Sequence, residues 1–143
     1  MALRLYEHNL KAYQAAETML DQYGKAAVIH PTGTGKSYIA FKLIEDHPDA
    51  VVFWLSPSEY IFKTQLESLK RNDPDFPLAN VHFYTYAKLM CCTQVQLDEI
   101  AAQKPAYIIL DEFHRAGAVC WGESTMALLK LCPNTKLLGL TAT

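Results

Sequence analysis

Two stretches of this chain are apolar at every position: AVVFWL at residues 50–55 and YIIL at residues 107–110. A strand with one wet face alternates apolar and polar side chains, whereas a strand covered on both faces reads as a continuous apolar run. Strands of that kind belong to parallel sheets, whose neighbours are joined by crossovers long enough to hold a helix. The runs therefore require an α/β architecture, provided that helical segments lie between them.

Such segments are present. Leu10, Tyr13, Ala16, Met19, Leu20 and Tyr23 recur at helical spacing, and Gly24 closes the segment. Residues 26–29 read as a short buried strand. Residues 37–45 return to helical spacing through Ile39, Ala40, Leu43 and Ile44, and Pro48 stops them. Residues 58–70 place Ile61, Phe62, Leu66 and Leu69 on one helical face. A turn-rich segment at 71–80 precedes a third strand at 81–84. Thr93 and Gln96 have the spacing of a capping box for a helix ending near Gln103. Strands at 106–110 and 137–140 flank a helix at 124–131. This order implies right-handed crossovers and a mainly parallel sheet with helices on both faces. No repeat, low-complexity tract or second domain is visible, and 143 residues is a single-domain length.

Composition narrows the function classes. At 50% hydrophobic and 20% charged residues, the chain can bury a core. A net charge of −2 gives no basic field of the kind that attracts nucleic acid. Backbone amides at helix N-termini can nevertheless grip phosphates without one. The apolar runs are far shorter than the roughly 20 residues of a membrane span, and no secretory leader is visible. A cytoplasmic protein with no membrane partner is expected. Cys91, Cys92, Cys120 and Cys132 form no CxxC pair, and His8, His30, His47 and His82 do not cluster as ligands. Reduced, mostly buried thiols and surface or capping histidines are expected. Trp54 and Trp121 read as packing residues and Arg115 as a solvated one.

In parallel sheets ligands gather at the C-terminal ends of the strands. Here PTGTGKS follows the first strand, SPS the second, Thr85-Tyr86 the third, DEFHR the fourth and TAT the fifth. Gly33 and Gly35 let successive N–H groups curl around an anion. The next helix turns its positive end to the same place. Thr32, Gly33, Thr34 and Gly35 thus form a candidate phosphate cradle. Lys36 would reach the β- and γ-phosphates, and the Ser37 hydroxyl would ligate Mg²⁺. The first position of the usual G-x-x-x-x-G-K-[ST] pattern is His30, so a glycine-rich turn before an ordinary helix is the competing reading. Asp111 and Glu112 end a buried strand. Asp111 suits Mg²⁺, held through water, and Glu112 suits the orientation and deprotonation of an attacking water. A solvated acidic turn is the alternative.

PTGTGKS with DEFH, followed by TAT after a later strand, resembles the first motor domain of superfamily 2 helicases and translocases. Within them it is similar to the DExH-type group that includes the motor subunits of restriction enzymes, and the resemblance spans nearly the whole chain. It implies a RecA-like P-loop domain, ATP and Mg²⁺ as cofactors, and nucleic acid as partner, with DNA favoured over RNA. It implies Lys36, Asp111, Glu112 and His114 as catalytic residues. In LKAYQAAETML it implies Gln14 as an adenine-reading residue, whose amide offers both a donor and an acceptor. LSPSEYIFKTQ brings Ser56, Pro57 and Ser58, and TYAKL brings Thr85, as nucleic-acid backbone contacts. Ser58 and Thr85 also stand at predicted helix starts, where capping is the competing role. Thr141 and Thr143 would hydrogen-bond His114 and so sense the γ-phosphate. A phosphate loop lacking its first glycine is common in this family.

The expectation is the ATP-binding half of a nucleic-acid motor, residues 1–143 being one RecA-like domain and the second motor domain being absent from this chain. Arginines of a second domain supply on the order of 10³–10⁵ in rate for phosphoryl transfer. The chain alone is expected to bind Mg-ATP weakly and hydrolyse it very slowly. Two alternatives are a P-loop ATPase of another class not acting on nucleic acid, and a non-hydrolysing interaction module. DEFH and TAT argue against the first. Intact Gly35, Lys36, Ser37, Asp111 and Glu112 argue against the second.

Overall fold

Five strands form one sheet in the order β1-β5-β4-β2-β3: β1 (Lys25–Ile29), β2 (Val52–Ser56), β3 (Val81–Thr85), β4 (Tyr107–Asp111) and β5 (Lys136–Thr141). Every pairing is parallel, in agreement with the continuous apolar runs. The helices are α1 (Glu7–Tyr23), α2 (Lys36–Asp46), α3 (Glu59–Asn72), α4 (Tyr86–Met90), α5 (Gln94–Ala101) and α6 (Val119–Leu131). The computed structural model describes the backbone of residues 7–29, 36–76, 78–112 and 119–141, and their side chains except at 7, 8, 36, 72 and 119–122.

β2 shows why its sequence does not alternate. All of its residues are buried, because both faces of the sheet are covered. Val52 and Trp54 pack into a cluster with Leu20 of α1, Ile39, Leu43 and Ile44 of α2, and Leu69 of α3. Phe53 and Leu55 point the other way, into a cluster with Tyr86 and Leu89 of α4, Leu97 of α5 and Leu128 of α6. The fold is therefore three-layered, with α1, α2 and α3 on one face and α4, α5 and α6 on the other. Phe41 of α2 sits in the first layer, its ring centroid 5.0 Å from Trp54, 5.6 Å from Tyr38 and 6.0 Å from Phe76.

Local chemistry sets several boundaries. Gly24 closes α1 with φ 72°, and its N–H donates to the Leu20 carbonyl at 2.9 Å. A Cβ there would meet nothing within 4 Å, so the backbone angle rather than space calls for glycine. His47 caps α2: Nδ1–H donates to the Leu43 carbonyl at 2.9 Å, leaving Nε2 to accept from the Tyr107 hydroxyl at 3.1 Å. The expected capping box starts α5, with Gln96 N–H donating to Thr93 Oγ1 at 3.2 Å and Thr93 N–H to Gln96 Oε1 at 2.8 Å.

Some expectations need correction. The second strand begins at Val52 instead of residue 50, because Ala50 is held in a turn. Its N–H donates to the His47 carbonyl at 3.1 Å, and its own carbonyl accepts from Asn80 Nδ2 at 2.6 Å. The helix start expected at Thr85 opens α4, whose extent was not assigned, since five residues are too few to display a helical period. α6 starts at Val119 rather than 124, and packing against α4 and α5 outweighs the poor helix propensity of Val119 and Gly122. Among the described residues the thiols are not mostly buried: Cys91 is exposed, Cys92 half-buried and Cys132 buried, the side chain of Cys120 lying outside the description. His82 is half-buried, edge-on to Phe53 at 6.0 Å, rather than a surface residue. Among the described residues no helix is long and apolar enough to cross a membrane.

Replacing Phe41 by alanine removes the ring at the centre of the aromatic layer. Phe41→Ala is expected to destabilise the fold by about 3–5 kcal/mol, read as a lower midpoint in urea unfolding.

Candidate functional site

The sheet order decides which strand ends meet. β5 lies between β1 and β4, so Ile29 pairs with Thr141, and Leu140 pairs with Asp111. Adjacent strands lie about 4.8 Å apart, so the ends of β1 and β4 are separated by roughly 10 Å. On the far side of β4, Leu110 pairs with Leu55, and Ser56 pairs with Thr85. The C-terminal edge thus presents in a row the segment following Ile29, then Thr141, Asp111, Ser56 and Thr85.

β1 ends at Ile29 and α2 begins at Lys36. The intervening candidates Thr32, Gly33, Thr34 and Gly35, with His30, lie outside the described residues, as do His114 and Thr143. Lys36 is the first residue of α2, its side chain outside that description, and Ser37 is the second, half-buried. The helix that follows the glycine-rich segment packs against α1 and β5.

Asp111 is fully buried. Its Oδ2 accepts from Gln65 Nε2 on α3 at 2.9 Å and from the Trp54 indole Nε1 on β2 at 3.4 Å. Both donors are neutral, so they solvate a carboxylate without cancelling its charge. The Asp111 carbonyl accepts from the Tyr86 hydroxyl of α4 at 2.8 Å. Burial, and after it the charges of Asp111 and Glu112, push the Tyr86 phenol well above its ordinary pKa. Tyr86 therefore remains a donor throughout the physiological range. Immediately after, Glu112 takes φ 52°, a left-handed conformation that costs a non-glycine residue on the order of 1 kcal/mol. Its side chain is half-buried.

Among the described residues no group of three or more His, Cys, Asp or Glu side chains could hold a metal ion by itself. Mg²⁺ needs no such cage. It is commonly held by one or two carboxylates together with substrate phosphates and water. The buried carboxylate of Asp111, held by neutral donors, and the hydroxyl of Ser37 are oxygen ligands of the right type for it.

The remaining candidates separate into distinct environments. Ser56 is buried and its hydroxyl donates to the Ser58 carbonyl at 3.4 Å. Pro57 is half-buried. Ser58 caps α3, Oγ accepting from Ile61 N–H at 3.2 Å. Thr85 caps α4, Oγ1 accepting from Lys88 N–H at 3.0 Å. Thr141 is buried at the end of β5. Gln14 is exposed on α1, and its side chain makes no hydrogen bond among the described residues. Beside it, buried Tyr13 bonds to Glu17 and Asp46, tying α1 to α2.

Gln65 and Tyr86 are absent from the sequence-derived set, although both touch Asp111. Gln65 closes the LSPSEYIFKTQ motif and Tyr86 follows Thr85. That proximity to motifs was the only available signal, since which side chain reaches β4 depends on where α3 and α4 cross the sheet.

The model of a family described as "Type III restriction enzyme, res subunit" matches residues 58–143, more than half of the chain. No curated protein matches the sequence. Among solved structures, the chain is similar to domain III of the replication initiation protein DnaA from Thermotoga maritima. The TM-score is 0.50 at 16% identity, over 99% of this chain and 54% of that one. The chain thus spans about half the length of that solved domain, and at this identity the likeness concerns the fold.

The capping geometry gives a direct expectation. Ser58→Ala should cost about 1 kcal/mol through the loss of the α3 cap, measured by chemical unfolding.

Proposed function

The chain belongs to the family of Type III restriction enzyme res subunits, and from that premise we propose that it is the ATP-binding unit of a superfamily 2 DExH-type helicase or translocase. The family match and the parallel α/β fold support the broader statement, a P-loop nucleotide-binding domain of ATPase type. The finer reading couples nucleotide hydrolysis to movement on nucleic acid, DNA before RNA.

One observation carries it. A buried carboxylate, Asp111, ends β4 two strands from the strand that leads into PTGTGKS, with the Thr141 strand between. The two strand ends stand roughly 10 Å apart, two strand spacings, on the C-terminal edge where parallel sheets bind ligands. In this reading the backbone N–H groups of residues 32–35 and the start of α2 cradle the phosphates. Lys36 contacts the β- and γ-phosphates, and Ser37 and Asp111 hold Mg²⁺. Magnesium, when bound, supplies the positive charge that offsets the triphosphate. Glu112, turned by its left-handed backbone, orients the attacking water and takes its proton. His114, Thr141 and Thr143 report the state of the γ-phosphate, and Gln14 reads adenine. Pro57, Ser58 and Thr85 line the edge along which a nucleic-acid backbone would run, with Ser56 buried behind them and bonded to the Ser58 carbonyl. For Ser58 and Thr85, capping uses a hydroxyl lone pair and leaves the O–H to donate to a phosphate oxygen.

The test is nucleotide binding followed by activation. Lys36→Ala is expected to weaken Mg-ATP binding by tenfold or more in calorimetry. ATP turnover by the full-length protein should rise with single-stranded or duplex DNA, and less with RNA. A protein that binds no nucleotide, or whose turnover ignores every nucleic acid, would overturn the motor reading.

A further inference from the structure

The contact between Gln65 and Asp111 fixes more than a distance. A carboxylate can only accept, so the amide N–H₂ of Gln65 must face Asp111 and Oε1 must point away. That oxygen is buried and has no hydrogen-bond partner among the described residues. Buried acceptors are normally satisfied, and those left over commonly mark a place for ordered water or a functional contact. Gln65 is in addition anchored at both ends of its reach. It lies on α3, whose start is capped by Ser58, and bonds to the last residue of β4.

We propose that Gln65 is a positioning residue of the cation site: its N–H₂ holds the Asp111 carboxylate in place, while Oε1 accepts a hydrogen bond from water in the cation's hydration shell. The proposal rests on the reading of Asp111 as a Mg²⁺ ligand. Mg²⁺ dehydrates reluctantly and keeps several waters when bound beside phosphates. Those waters are strong donors and need acceptors, which carboxylates and amide oxygens provide. Groups that orient a ligand in this way typically change metal affinity 10–100-fold when removed. Trp54 donates to the same Oδ2 over a longer distance, 3.4 Å against 2.9 Å, and has no acceptor to offer, so its share is smaller.

The experiment is a Mg²⁺ titration of nucleotide binding, followed with a fluorescent ADP analogue on wild type and Gln65→Met, which keeps side-chain length but removes both polar atoms. Expected is unchanged affinity for the metal-free nucleotide and a roughly tenfold higher Mg²⁺ concentration at half-saturation. Trp54→Phe, which keeps an aromatic ring, should shift the same midpoint in the same direction by less, and it serves if Gln65→Met fails to fold. An unshifted Mg²⁺ midpoint in Gln65→Met overturns the inference. So does a parallel loss of metal-free binding, which would mark a purely structural role, or an unshifted midpoint in Trp54→Phe where that variant alone folds. If wild type binds nucleotide with no dependence on Mg²⁺, the reading of Asp111 falls first and this inference with it.

Discussion

Covering β2 and β4 on both faces is the requirement that organises the molecule. An apolar strand buried above and below must have all its backbone groups bonded within the sheet and must be flanked by helical layers. The chain meets this by placing α1, α2 and α3 against Val52 and Trp54, and α4, α5 and α6 against Phe53 and Leu55. Because all strands are parallel, every crossover carries the chain back to the edge where strands begin, and every strand ends at the opposite, C-terminal edge. All the polar segments that follow strands therefore collect there, and β5 is inserted between the strands that lead into the glycine-rich segment and into Asp111.

The same packing produces the environment of Asp111. A fully buried carboxylate would be strongly disfavoured without donors, and the donors come from residues already held by the core or by a helix crossing it. Trp54 is fully buried in one layer, Tyr86 in the other, and Gln65 reaches over from α3. Side chains from both faces of the sheet thus converge on one residue at the edge. The left-handed turn at Glu112 follows directly after the carbonyl that Tyr86 holds. Strain of this kind persists only where surrounding contacts over-determine the backbone.

Much of the architecture was legible in the residues. Continuous apolar runs gave buried strands, Gly24 a helix end and Thr93 with Gln96 a capping box, because each rests on chemistry within a few residues. The misjudged features depend on distant partners. The start of α4 at Thr85 was expected, but its extent of one turn is set by Tyr86 and Leu89 in the core. α6 extends past the point where propensity would start it. Cys91 is exposed, since nothing about a thiol in sequence states which face of the chain it occupies. Trp54 was read as packing only, and its indole N–H turns out also to reach Asp111.

By itself the sequence determined the class of fold and the chemical types available at the strand ends, since hydrophobic period, turn residues and motif spacing are local properties of the chain. It also determined that Lys36, Ser37 and Glu112 come after their strands and that Asp111 stands at the end of its own. Tertiary structure alone decided the order β1-β5-β4-β2-β3, and so which of those ends are neighbours. It also decided that Gln65, Trp54 and Tyr86 are the groups that hold Asp111. The reason is physical: strand order and helix crossing are set by how two apolar layers close over one sheet, a balance of packing spread over the whole chain.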